Sequence, residues 1–227
     1  MNPAMTLRLR LVAPLIAAGV LLAAGLALPV AVQAADAAAT ELGPQETMTK
    51  VANDMFTALD RNRAEIRKDQ AAVVPLVNTI LLPRFDTEYA AQKVLAQHWK
   101  EATPDQQKRF VSTFYNALLK TYSGALADFT ADRLNILPFR GEPGATTATV
   151  RTTVRRDNGQ VVPVDYSLRK TADGWKAWDV VIEGISYVRN YRNDLGAEID
   201  QKGIEAVITR LEKEGLTTTK ALGKKGG

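Results

Sequence analysis

Two short turn motifs constrain this chain more than anything else in it. Asp157-Asn158-Gly159 and Asp173-Gly174 each sit between runs of alternating apolar and polar residues. Asn-Gly and Asp-Gly favour the left-handed backbone that tight hairpins need. The stretch from Ala148 to Ile182 therefore predicts a three-strand antiparallel meander. In its middle strand Val162, Val164, Tyr166 and Leu168 share one face, while Val161, Asp165, Ser167 and Arg169 point the other way. The same alternation places Trp178, Val180 and Ile182 together in the next strand, and Val150 and Val154 in the preceding one. An apolar face this broad must be covered by another layer. Pro163 has no N–H for a ladder, which predicts a bulge or an unpaired site near the start of its strand.

The covering layer is legible in the helical spacing before the meander. Met48, Val51, Met55, Phe56 and Leu59 form one apolar stripe, followed by a charged run from Arg61 to Asp69. Residues 70–82 predict a second short helix carrying Val73, Leu76, Val77 and Ile80, stopped by Pro83. Asp86 is placed to cap a third helix reaching about Trp99. Thr103-Pro104-Asp105-Gln106 is a strong start signal, with a capping threonine, a proline in the first turn and a glutamine at the third helical position. The helix that follows carries Phe110, Phe114, Leu118 and Tyr122 four residues apart, with Val111 and Leu119 widening the stripe. A further strand is expected at Arg133–Leu137, giving a sheet of about four strands. Beyond the meander, Ile185–Ile199 predicts a helix, Lys202-Gly203 an interruption, and Ile204 to Leu211 a last helix.

The resulting class is α+β, with helices packed on one face of a curved antiparallel sheet of about four strands. A helix-then-meander order resembles the NTF2-like cone, here with extra helices and a pocket between the layers. A resemblance of fold alone assigns no function.

At the front, Arg8 and Arg10 precede 22 uncharged residues, Leu11 to Val32, and Val32-Gln33-Ala34 supplies the small residues that a signal peptidase reads. Residues 1–34 are expected to be a cleaved secretory signal. A retained anchor is disfavoured by Pro14, Gly19, Gly25 and Pro29 within the apolar run. The absence of cysteine leaves no lipoprotein attachment site and no disulfide scaffold. Residues 35–216 are expected to form a single exported domain resting on its core, and 217–227 a disordered, glycine-rich basic tail. The formal charge of the whole chain is +4. Cleavage would remove two arginines and no acid, leaving a balance too even for nucleic-acid binding.

Several segments in fixed order carry a more specific resemblance. Leu82-Pro83-Arg84-Phe85-Asp86, then Trp99 to Gln107, then Leu118-Leu119-Lys120-Thr121-Tyr122, then Trp178 to Ser186 and Asn190-Tyr191-Arg192 resemble the MlaC, or toluene-tolerance, family of periplasmic phospholipid-binding proteins. The match spans most of residues 45–214. One departure is Ala96, near which family members often have glycine. The resemblance implies a monomeric carrier with phospholipid as cargo, without metal, other cofactor or catalysis. It would exchange lipid with an inner-membrane ABC transporter through its MCE-domain subunit and with an outer-membrane lipoprotein-porin complex, maintaining outer-membrane lipid asymmetry.

On that reading Val162, Val164, Tyr166, Leu168, Trp178, Val180 and Ile182 line the sheet wall of the lipid site, and Leu76, Ile80, Phe114 and Leu118 the helical wall. Periodicity by itself equally describes a filled core. Two other functions fit the same fold class. A pocket enzyme would rely on His98, the only histidine, with Glu101 nearby in sequence. A lipid-free envelope adaptor would use Arg61, Arg63, Arg67 and Lys68 as its contact patch, although a charge run on a helix is ordinarily a solvated face. The sequence contains no serine elbow, phosphate-binding loop or spaced metal-ligand cluster.

Overall fold

The computed structural model describes residues 41–127, 129–142 and 144–216. The expected signal segment and the basic tail lie outside them. Within this unit the order is helices, a five-strand antiparallel meander, then two helices. The helices before the sheet are α1 (Pro44–Arg61), α2 (Arg63–Ile66), α3 (Val73–Leu76), α4 (Thr87–Leu95), α5 (His98–Glu101) and α6 (Pro104–Ala127). The strands are β1 (Leu134–Ile136), β2 (Thr147–Arg155), β3 (Val161–Thr171), β4 (Gly174–Ile182) and β5 (Ile185–Ser186); α7 (Tyr187–Lys202) and α8 (Ile204–Glu214) follow. The class is α+β with a curved antiparallel sheet. The sheet gains one strand because Glu183-Gly184, both with positive φ, turns the chain back at once. Ile185 then pairs with Ile182 instead of opening the helix.

Local chemistry explains the helix ends. Thr103 Oγ1 accepts from Gln106 N–H at 3.2 Å, and Gln106 Oε1 accepts from Thr103 N–H at 3.1 Å, a complete reciprocal cap for α6. Asp86 caps α4 through Tyr89 N–H. The predicted third helix breaks earlier than expected, because Ala96 adopts φ 50° and ψ −113° and separates α4 from α5. The predicted helix over residues 70–82 is also uneven. A 3-10 turn and α3 lead into a π turn at Val77–Leu81. Pro83 offers no N–H to the Thr79 carbonyl four residues back and crowds it. Thr79 Oγ1 meanwhile donates to Pro75 O at 2.9 Å, occupying a carbonyl of the preceding turn.

Pro163 needs no bulge. Its carbonyl accepts from Glu183 N–H, so its ring nitrogen also points to that side, beyond the last β3–β4 pair, Val164↔Ile182. Pro163 stays in register with Thr153 of β2, and its missing donor falls on the side where the β3–β4 ladder has ended. The bulge lies instead in β4, where Leu168 pairs with Ala177 and Ser167 with Asp179, leaving Trp178 as an extra residue.

Three apolar clusters hold the unit together. The largest joins α4, α6, α7 and α8 around Val94, Leu95, Phe110, Tyr191, Val207 and Ile208. A second packs α1 against α2 and α3 through Met55, Leu59, Ile66 and Val73. The third lies on the sheet face at Val150, Leu168, Trp175 and Ala177, with Met48 of α1 and Phe139 against it.

Candidate functional site

The sheet wall forms largely as the alternation requires. Val150, Tyr166 and Val180 make one cross-strand row, and Thr152, Val164 and Ile182 the next. Val162, Val164 and Leu168 are buried, whereas Tyr166, Val180 and Ile182 are half-buried. Thr152 belongs on this apolar face because its hydroxyl donates to Val164 O at 2.7 Å, satisfying the one polar atom it brings. Tyr166 lies deep enough for burial to raise its hydroxyl pKa, yet it keeps accessible surface.

Trp178 is a correction. The extra residue in β4 removes it from the row of Val180 and Ile182, and it packs edge-on against Tyr89, 5.4 Å between centroids, within the helical cluster. Trp175 and Ala177 take the inward places before the bulge. Counting back from Ile182 by twos selects Trp178 and misses both, since a one-residue slip exchanges the faces.

The helical candidates divide between two clusters. Phe114 and Leu118 pack with α4, α7 and α8, while Leu76 and Ile80 pack with α1. Among the described residues, Val180 and Ile182 belong to none of the three clusters. Ile80 also borders a groove of about 200 Å³ with Leu42, Val51, Pro83 and Arg84. A second concavity, about 380 Å³, runs along polar residues of α1 such as Gln45, Lys50 and Asp54. Neither includes a described residue of β3, β4 or α6. Leu168 and Tyr166 of the sheet wall pack in the third cluster and the helical candidates in the first two, while Val162, Val164, Val180 and Ile182 stand outside all three.

Where sheet and helices approach each other, a group of tyrosines replaces plain apolar residues. The Tyr122 and Tyr191 hydroxyls bond to each other at 2.7 Å. Tyr187 lies beside both, with ring centroids 6.1 Å from Tyr122 and 6.4 Å from Tyr191. Its hydroxyl is buried and has no hydrogen-bond partner. Desolvation is the main cause that raises the pKa of Tyr187 and Tyr191, so both stay neutral donors. Sequence periodicity counts such tyrosines as core; their shared region shows only once α6 and α7 are packed.

The candidate acids and bases are engaged in holding structure. His98 is buried, with Nδ1 3.2 Å from Glu101 and Nε2 3.5 Å from Asp200, linking α5 to the end of α7. Asp179 is buried and accepts from Ser186 Oγ at 2.6 Å and Val188 N–H at 3.0 Å, fixing the start of α7. Arg63, in the charged run, donates to Ala127 O at 3.0 Å and thus ties α2 to the end of α6. Among the described residues no group of three or more His, Asp or Glu is arranged to hold a metal ion.

With this architecture in place, comparison with known proteins is decisive. The model of the MlaC protein family matches residues 49–213. The chain belongs to the MlaC family. Two curated relatives extend the match. The Haemophilus influenzae intermembrane phospholipid transport system binding protein MlaC is 25% identical over 180 residues, 78% of this chain and 84% of that protein. The Pseudomonas putida toluene tolerance protein ttg2D is 26% identical over 161 residues, 70% and 74% of the two chains. Among solved structures, a phospholipid-binding protein from Ralstonia solanacearum in complex with a phospholipid superposes with a TM-score of 0.70 at 28% identity. That alignment covers 75% of this chain and 96% of the other.

Proposed function

We propose that this protein is a periplasmic phospholipid carrier that shields acyl chains between its sheet and its helices. The observation that carries the reading is the likeness, across nearly the whole of the partner chain, to a structure with phospholipid bound. The physical need is clear. About thirty chain carbons at ~0.8 kcal/mol per methylene make full exposure of a diacyl lipid cost about 24 kcal/mol, so free diffusion across an aqueous gap is negligible. Hydrophobic shielding requires no proton transfer or metal. This agrees with a site whose carboxylates cap helices and bridge elements.

In this reading Val162, Val164, Tyr166, Leu168, Val180 and Ile182 form the sheet wall, and Leu76, Ile80, Phe114 and Leu118 the helical wall. Trp178 supports the wall from the helical side. Lipid entry parts the sheet wall from the helical wall. The carrier collects and delivers lipid between an inner-membrane ABC transporter with its MCE-domain subunit and an outer-membrane lipoprotein-porin complex, and so maintains outer-membrane lipid asymmetry. The leader directs export and is removed near Ala34. Among the described residues no helix is long and apolar enough to cross a membrane.

The test is solvent extraction and mass spectrometry of protein purified without detergent. About one phospholipid per chain is expected. A folded protein that stays empty after incubation with phospholipid vesicles would overturn the carrier reading.

A further inference from the structure

Three phenol hydroxyls, those of Tyr122, Tyr187 and Tyr191, meet where α6 faces the start of α7, and they share a single hydrogen bond. Whichever of Tyr122 and Tyr191 donates, the other keeps an unused hydrogen, because each hydroxyl carries only one. Tyr187 donates to nothing and accepts from nothing. The Tyr187 hydroxyl is thus left without any partner, and the Tyr122–Tyr191 pair uses only one of its two hydrogens. A buried hydroxyl left in this state is disfavoured, and its persistence points to a partner that comes and goes.

The surroundings define that partner. Both Tyr187 and Tyr191 are held in the neutral form by desolvation. A neutral, poorly solvated donor suits a neutral acceptor, since an anion placed there would lose its hydration without gaining a countercharge. On one side the cluster continues into apolar packing, with Tyr191 edge-on to Phe114 at 5.3 Å and Leu118 one turn of α6 from each of Phe114 and Tyr122. On the other side the charges of Arg156 and Glu183 act on the Tyr187 hydroxyl. Those two residues form a 3.0 Å ion pair that is 40% and 45% exposed. From Phe114 through Tyr191 to Tyr187 the ring contacts are continuous, and the exposed Arg156–Glu183 pair lies within electrostatic reach of Tyr187. A diacyl phospholipid has the same order: chains, ester carbonyls, charged headgroup.

We propose that the Tyr187 hydroxyl and the free hydrogen of the Tyr122–Tyr191 pair donate to the ester carbonyls of the bound phospholipid, making the site selective for ester-linked over ether-linked chains. The inference rests on phospholipid being the cargo. An ether oxygen is a weaker acceptor and lacks the projecting carbonyl, so the donors stay unpaired when an ether lipid is bound. The polar contact then sets how deep the lipid sits, while apolar burial supplies most of the attraction.

Delipidated protein is incubated with vesicles containing equal amounts of diester and dialkyl-ether phosphatidylethanolamine of matched chain length, and protein-bound lipid is quantified by mass spectrometry. The parent is expected to enrich the diester form roughly three- to tenfold, the factor corresponding to about one neutral hydrogen bond. Tyr187→Phe is expected to lose most of that enrichment while still taking up the ether lipid. Empty, it is expected to melt no lower than the parent, because it deletes only an unpartnered hydroxyl. Tyr122→Phe combined with Tyr191→Phe, which removes both hydroxyls of the pair and so its free hydrogen, should move the ratio in the same direction. Equal uptake of both lipids by the parent, or a ratio unmoved in both variants, would overturn the proposal while leaving the carrier reading intact. A parent that retains neither lipid would sink the carrier reading, and this inference with it.

Discussion

The helical cluster of α4, α6, α7 and α8 and the sheet wall along β3 and β4 are both apolar, yet they are built to different standards. In the helical cluster Phe110, Val94, Val207 and Ile208 have no exposed surface, and Phe110 stacks on Phe114 at 5.5 Å. Its charged neighbours are paired at the surface, as where Arg109 reaches Glu205 at 2.7 Å and Glu212 at 3.1 Å. Along the second half of β4, by contrast, Val180 and Ile182 stay half-buried and belong to none of the three clusters formed by the described residues. The centre of the helical cluster is filled by its own side chains, whereas the second half of β4 keeps part of its apolar surface open. Incomplete burial distinguishes a lining surface from a filled core, although the two share the same periodicity.

The largest effect should come from the finished side. Phe110→Ala leaves a cavity among residues that cannot collapse freely and is expected to cost about 3–5 kcal/mol, read by chemical denaturation. Lipid per folded molecule should stay at the parental value. A selective loss of lipid would mean that the pocket reaches past Phe114 and Leu118 into the centre of this cluster.

The sheet wall offers a sharper contrast within one cross-strand neighbourhood. Val164 is 7% exposed and Val180 half-buried. Val164→Asp is expected to destabilise by about 3 kcal/mol or more, because a fully enclosed carboxylate lacks a partner. Val180→Asp should fold cooperatively, at a cost nearer 1 kcal/mol, and be purified with little lipid. Thermal unfolding of delipidated protein, set beside lipid content, separates the two; equal failure to fold at both positions would move the pocket elsewhere.

A smaller effect probes the α7–α8 join. Arg210 donates to both oxygens of Glu198, at 2.8 and 2.7 Å, which holds the Glu198 pKa below the usual 4.5. A depressed carboxylate pKa stabilises the fold above the unfolded value, and this contribution is lost as pH falls through the folded one. Glu198→Gln should therefore cost about 1 kcal/mol at pH 7, with parent and variant converging as pH falls below the carboxylate range. A constant gap across pH would indicate lost packing instead.

The smallest effect is expected at the histidine. His98→Gln should leave lipid uptake unchanged, since His98 contacts Glu101 and Asp200 away from the wall. A folded variant that no longer delivers lipid to acceptor vesicles would restore His98 as a functional residue.

Features governed by contiguous residues were legible in the sequence. The Thr103–Gln106 cap, the Asp86 cap and both predicted hairpins depend on groups a few residues apart, and they appear as expected. Features that answer to distant packing were not. Ala is a good helix former, and nothing local announces the positive φ at Ala96; glycine would accept that backbone without strain. The bulge at Trp178 is equally silent, because an unbroken alternation and a slipped one contain the same residue types. The tyrosine cluster escaped for a related reason: Tyr122 completes an apolar stripe, and its contact with Tyr191 spans 69 residues.

The bulge has a mechanical meaning as well. Trp178 grips α4 through Tyr89, and Tyr89 is also covered by Arg169, 4.2 Å away, which pairs with Asp86 at 2.6 Å. The next residue, Asp179, anchors the first turn of α7. Two helices are thus riveted to adjacent links of one strand, and their separation is gauged by a single peptide unit. Any displacement of this part of β4 therefore bears on α4 and α7 together.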